Sequence, residues 1–247
     1  MNWWLPPQAS NFAPRIDGMF TAILIITAIP FFLVEIGVIW FVFKYRGRPG
    51  QKGHYTHGNT RLEMIWTAIP AVTMVALGLI SNSFWVQIKG RNSVPADAYP
   101  VGVHAKQFEW WVTLPGPDGK LGRTVDSLIS KANPTGLDTT DADAKDDIVI
   151  RNQLHLPAGR PIVAYLTAED VIHSFYVPEF RVRQDIVPGL HIKAWFVATV
   201  PGKYEIGCSQ LCGLGHYKMR AQVTVHTQAD FDAWAKEHAP QPQAGGE

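Results

Sequence analysis

Cysteine is scarce in this chain of 247 residues: there are two, Cys208 and Cys212, four positions apart. No C-x-x-C-H occurs, so the chain carries no attached c-type haem of its own. A dominant charge is lacking as well. The 22 Lys and Arg nearly balance the 21 Asp and Glu, which argues against nucleic-acid binding and against a disordered polyelectrolyte. That balance hides an uneven distribution, because only Asp17, Glu35 and Glu63 among the acids precede residue 90.

Two stretches almost lack ionisable side chains. Residues 19–43 hold Glu35 alone, and residues 64–88 hold none. Each would make a helix of roughly 37 Å, enough to cross a hydrocarbon core of about 30 Å. Pro30 and Pro70 are tolerated better in membrane helices than in water-exposed ones. Trp40, Trp66 and Trp85 fall where interfacial aromatic belts form. The alternative is a buried helical hairpin of a soluble protein. The first segment starts late and lacks a small-residue cleavage site, so it is expected to be a retained anchor rather than a signal peptide. Between the two segments lie Lys44, Arg46, Arg48, Lys52 and Arg61, with Glu63 at the far edge. The positive-inside rule puts this loop in the cytoplasm and both termini outside. The expected localisation is a bacterial-type plasma membrane, crossed twice, with the C-terminal domain on the periplasmic side.

Residues 1–90 are thus expected to form an N-terminal segment and transmembrane hairpin. From residue 91 the pattern changes to short alternating strands, with candidates at 100–113, 148–155, 161–168, 190–199, 203–208 and 219–226. Six or seven strands before residue 227 predict a small sandwich or Greek-key barrel. Residues 228–247 read as a closing helix and a flexible tail. An insertion at 118–147 holds seven aspartates against four basic residues. It reads as a solvated loop or as a docking surface for a basic partner. A calcium site is a third option, although the spacing does not match an EF-hand.

The two cysteines stand in Cys208-Ser-Gln-Leu-Cys212-Gly-Leu-Gly-His216-Tyr-Lys-Met219. Thiolate, imidazole and thioether together are ligands that soft copper selects, whereas a zinc site would have little use for Met219. His173, 35 residues upstream in VIHSFYVPEF, is close enough in a sandwich for its loop to meet this one. A structural disulfide remains the plain alternative, but it gives His216 and Met219 no shared purpose.

On these residues the chain resembles subunit II of the haem–copper respiratory oxidases, the cytochrome c oxidase type. The resemblance covers nearly the whole chain and implies a two-helix transmembrane hairpin followed by an all-β, cupredoxin-like Greek-key domain. The family loop reads C-x-E-x-C-x-x-x-H-x-x-M and binds a binuclear copper centre. Carried over, Cys208 and Cys212 bridge two coppers, His173 and Met219 complete one, and His216 with the backbone carbonyl of Gln210 completes the other. Such a subunit takes electrons from cytochrome c or a similar high-potential carrier. It passes them to haem in subunit I, where oxygen is reduced and protons are pumped, with other membrane subunits as further partners.

Three positions depart from or refine the family pattern. Gln210 replaces a glutamate whose carboxylate touches an interfacial magnesium or manganese, and a neutral amide is a weaker ligand for such a cation. Phe108, in QFEWW, stands where the family's exposed tryptophan receives electrons, with Trp110 and Trp111 as alternative acceptance points. Glu63 matches an acid at the entrance of a proton pathway, and helix capping is its plain alternative. The resemblance leaves two other functions open: the copper-bearing subunit of a haem–copper nitric oxide reductase, and a membrane-tethered copper module for electron transfer or metal delivery.

Overall fold

The computed structural model describes residues 4–240. They fall into two units: residues 17–93, and a β-domain made from the residues up to Ile16 together with those from Val94 onward. The flexible tail expected at the C-terminus lies outside the described residues.

Helix α1 spans Ala13–Lys44 and helix α2 spans Thr60–Lys89. Both begin before the apolar windows at 19–43 and 64–88. A helix continues through the polar turns that flank a membrane span, whereas hydropathy registers only the span. Asn59 caps α2, accepting from the backbone N–H groups of Arg61 and Leu62. Nothing among the described residues covers either apolar window. Leu33 is 67% exposed and Val72 68%, and continuous apolar surface of this kind requires a non-aqueous surrounding.

The β-domain has ten strands among the described residues: β1 (Tyr99–Lys106), β2 (Glu109–Leu114), β3 (Ile148–Arg151), β4 (Gln153–Pro157), β5 (Pro161–Ala168), β6 (His173–Val177), β7 (Val182–Ile186), β8 (Ile192–Val197), β9 (Gly202–Cys208) and β10 (Arg220–His226). They form two five-stranded sheets, ordered β3-β2-β1-β5-β8 and β4-β10-β9-β6-β7. Helix α3 (Gln228–His238) follows.

Six or seven strands were expected, and the excess has local causes. The stretch 100–113 is a hairpin that turns at Gln107 and Phe108. The stretch 148–155 is cut at Asn152, whose φ of 55° is a left-handed conformation that asparagine tolerates. There the chain leaves the first sheet for the second, and Asn152 Oδ1 accepts from the Trp110 N–H. Strands β6 and β7 escaped the alternation test. Strand β6 buries its polar residues His173 and Ser174 beside its apolar ones, and β7 places Arg183, Gln184 and Asp185 between two buried ends. His173, expected on a loop, is the first residue of β6.

The inner faces meet along a row of aromatics. Trp110 lies edge-on to Phe175 with ring centres 6.3 Å apart, Phe175 stacks on Phe196, and Phe196 meets Phe180. All four are fully buried. Each such side chain contributes about 1.5–3 kcal/mol relative to exposure. The segment before α1 also packs here. Ala9 bonds Glu179 and Thr199 through the backbone, and Asn11 bonds Val197 through both backbone and side chain. Ser10 Oγ donates to the Phe180 carbonyl at 2.6 Å. Residues that the sequence groups with the hairpin therefore complete the β-domain, a contact that no local pattern encodes.

The acidic insertion, expected as a solvated loop, is held in shape by its own hydrogen bonds. Its carboxylates turn inward onto backbone amides: Asp118 accepts from Lys120, Asp138 from Thr140, Asp141 from Arg123, Asp146 from Asp118, and Asp147 from Gly122. Asp138 also pairs with Arg123, and its hydrogen bonds from Thr140 and Arg123 hold its carboxyl down at about 2. Burial lifts Asp147 to about 7. Among the described residues the one grouping of ligand atoms close enough to hold a metal is His173, Cys208 and Cys212.

Candidate metal centre

The site sits at one end of the second sheet. Cys208 is the last residue of β9 and Met219 immediately precedes β10, so residues 209–219 form the loop between two paired strands. The Cys208 N–H donates to the Met219 carbonyl at 3.1 Å and closes the neck of the loop. The Ser209 N–H donates to the Ser174 carbonyl at 3.2 Å. Strand β6 pairs with β9, with Phe175 opposite Cys208, and this pairing brings His173 across 35 residues of sequence to the thiols. A short 3-10 turn at His216–Lys218 aims the second histidine inward.

Both cysteines are free thiols, with sulfurs 3.8 Å apart. Cys208 Sγ lies 3.9 Å from His173 Nδ1 and 3.2 Å from the Gln210 carbonyl oxygen. Cys212 Sγ lies 3.5 Å from His216 Nδ1 and 3.8 Å from Met219 Sδ. The six donors nominated by the sequence are therefore gathered around the sulfur pair. His173, Cys212 and Met219 are buried, which removes competition from water. The spacing fits a metal: two sulfurs this far apart subtend roughly 110° at an ion about 2.3 Å from each.

Protonation follows the same geometry. Burial opposes ionisation of Cys208, but hydrogen bonds from His173 and from the backbone around Gln210 and Ser174 outweigh it and bring the thiol down to about 6. Burial and the neighbouring Cys208 charge push Cys212 up to about 12. Burial works against a charged His173, yet its contacts with Cys208 and Asp170 raise it overall. The surroundings thus favour the thiolate at Cys208 and the thiol at Cys212, and a cation between the sulfurs would favour both thiolates.

Two side chains absent from the sequence reading orient this cluster. Asp170 Oδ1 accepts from His173 Nε2 at 2.8 Å, which leaves Nδ1 facing the sulfur. Gln107 Nε2 donates to the Cys212 carbonyl at 2.5 Å. A carboxylate three positions before a candidate ligand was the available signal for Asp170. Gln107 stands in the sequence only as the first residue of QFEWW, about a hundred residues from the loop, and nothing there announces its contact with Cys212.

The remaining nominated residues divide. Phe108 is half-buried with its ring against Gly213 and Gly215 of the loop, and a Cβ at Gly215 would run into it. Trp110 is fully buried, with its ring centre 6.4 Å from that of His173. That burial rules it out as a surface acceptance point, because the alternation of β2 turns it to the core. Trp111 faces the other way, half-buried, and donates to Glu109. Glu63 lies in the first turn of α2, while Asn59 does the capping. Arg183 of β7, a residue outside that set, also reaches the loop and donates to the Ser209 carbonyl at 3.3 Å.

Residues 103–226 match the family described as cytochrome c oxidase subunit II, periplasmic domain, and residues 1–84 match its transmembrane domain. The chain belongs to the cytochrome c oxidase subunit II family. It is 37% identical over 239 residues to the alternative cytochrome c oxidase subunit 2 of Bradyrhizobium diazoefficiens, covering 95% of this chain and 84% of that protein. Over 259 residues it is 34% identical to cytochrome c oxidase subunit 2 of Thermostichus vulcanus, covering 95% and 78%. The crystal structure of the periplasmic domain of cytochrome oxidase subunit II from Bradyrhizobium japonicum covers 59% of this chain and 96% of that one, at 26% identity and a TM-score of 0.43. As a subunit II, the chain is a membrane-anchored component of an oxidase complex that includes subunit I. The family implies a copper centre, and two thiols, two imidazoles and a thioether form a donor set soft enough for it.

Proposed function

We propose that this subunit II accepts electrons from cytochrome c or a similar high-potential carrier and relays them to haem in subunit I, where oxygen is reduced. The observation that carries this reading is the convergence of His173, Cys208, Cys212, His216 and Met219 with the Gln210 carbonyl at one end of a buried β framework. These residues would hold two coppers, with Cys208 and Cys212 as bridges. His173 and Met219 would serve one ion, and His216 and the Gln210 carbonyl the other. When bound, the pair supplies a one-electron redox couple spread over two ions. The protein's part is to keep that geometry unchanged between oxidation states. Asp170 fixes His173, and the paired strands β6, β9 and β10 fix the rest.

Phe108 is the proposed point of electron acceptance, because its ring touches the loop between Cys212 and His216. Trp111 is the alternative on the same hairpin. The basic loop between α1 and α2 supports an orientation with that loop on the cytoplasmic side of a plasma membrane and the β-domain over residues 91–227 outside. Glu63, at the cytoplasmic start of α2, would collect protons for the partner subunit. Gln210 offers only a neutral amide, so an interfacial magnesium or manganese would bind weakly here.

Low-temperature EPR of the copper-loaded complex, with copper and protein quantified in the same sample, tests the assignment. Two coppers per chain and hyperfine coupling to two equivalent nuclei are expected. One copper with a single-nucleus spectrum would replace the relay with a mononuclear carrier or delivery module.

A further inference from the structure

The metal loop is braced by a turn from the opposite sheet. Gln107, at the bend between β1 and β2, donates its backbone N–H to Asp170 Oδ2 at 2.7 Å. Its side-chain Nε2 donates to the Cys212 carbonyl at 2.5 Å. Asp170 accepts in turn from His173. One residue therefore connects both flanks of the cluster, reaching His173 through Asp170 and Cys212 directly.

Apart from the Phe108 ring against Gly213 and Gly215, the arm between Cys212 and His216 has few restraints from the rest of the domain. Its large apolar residues face outward, with Leu211 79%, Leu214 98% and Tyr217 76% exposed, so burial does not hold them to the domain. Gly213, at φ 130°, and Gly215 add backbone freedom between the second cysteine and the second histidine. Internal order comes from three turn hydrogen bonds, donated by the N–H groups of His216, Lys218 and Met219. Ordering such a segment when a metal arrives would subtract its conformational entropy from the binding free energy.

We propose that Gln107 is a positioning residue that holds the Cys212–His216 arm of the loop at a set distance from His173 before the metal binds. Its effect on copper rests on the function proposed above, while its effect on the metal-free loop does not. Gln107 is exposed, so replacing its side chain removes the brace without opening the core.

Gln107→Met keeps the length of the side chain and removes the N–H donor, and Gln107→Lys restores a donor of similar reach. Amide hydrogen exchange is measured on the metal-free full-length chain, and copper affinity on the assembled complex. In the Met variant the amides of His216, Lys218 and Met219 are expected to exchange about tenfold faster, with β1, β2 and β10 unchanged. Copper affinity is expected to fall about 10–100-fold, as for other residues that orient ligands. The Lys variant is expected to recover most of both. Unchanged loop exchange in the Met variant overturns the proposal, as does equal loosening in the Met and Lys variants. If the wild-type complex holds no copper, the copper assignment fails while the exchange comparison still decides the role of Gln107.

Discussion

A buried ligand is only as well placed as the group behind it. His173 is fully buried, and its Nε2 depends on Asp170 for its partner. Asp170→Ala would leave that nitrogen buried without an acceptor and would release the Gln107 N–H as well. The metal-free protein is expected to lose about 1–3 kcal/mol, the usual penalty for an unsatisfied buried polar group. Urea unfolding with and without the substitution measures it, and Asp170→Asn, which keeps an acceptor, should lose less. The candidate donors among the side chains were legible in the sequence, because thiol, imidazole and thioether are properties of single residues. The contact of Gln107 and the burial of Trp110 were not legible, and Asp170 was marked only by its place three residues before His173. Each depends on which face or which distant turn a residue meets. The glycines of the loop make the same point. Gly215 lacks a side chain where Phe108 lies against it, and nothing near Gly215 in sequence announces that ring.

Helix α3 is held to the β-domain by rings rather than by a wide apolar face. Trp234 stacks on His155 with ring centres 4.0 Å apart and planes at 5°, and Phe231 is buried beneath. His155 Nδ1 lies 2.8 Å from His226 Nε2, across the parallel pair β4 and β10. That contact needs one N–H and one lone pair, so the two imidazoles cannot both be charged. Burial, reinforced by the charges of His226 and His238, pushes His155 down from the ordinary 6.5 to about 4. Burial lowers His226 too, while Asp230 opposes the shift. Folding thus favours neutral rings. The stabilisation is complete above pH 6.5 and is lost as pH falls from there toward 4. Trp234 fluorescence is expected to report α3 loosening over that range, and His155→Phe, which keeps the stack without the titration, should flatten the response. The helix was legible in the sequence from residue 228 onward, but its histidine seat was not, because His155 lies 71 residues from His226.

At the scale of the whole molecule, the β-domain takes its last piece from the start of the chain. Ser10 is 3% exposed and serves two elements at once. Its hydroxyl accepts from the Ala13 N–H at the head of α1 and donates to the Phe180 carbonyl after β6. Ser10→Ala is expected to cost about 1–2 kcal/mol, by loss of a cap together with a buried acceptor's partner. Thermal unfolding of the β-domain within the full-length chain measures the change. An unchanged midpoint would mean that the segment merely rests on the sheet.

The sequence by itself determined what depends on local composition. Two stretches almost free of ionisable groups specify helices that require a membrane, and twelve residues around Cys208 and Cys212 specify a soft-metal loop. Both are read along the chain, where neighbouring residues are neighbours in space. The tertiary structure alone decided what depends on distance. Pairing of β6 with β9 delivered His173, the β1–β2 turn delivered Gln107, and inward-turned aspartates made the acidic insertion a self-supporting lobe. Contacts between residues a hundred positions apart arise only when two sheets pack, and the free energy that sets them is shared across the whole core.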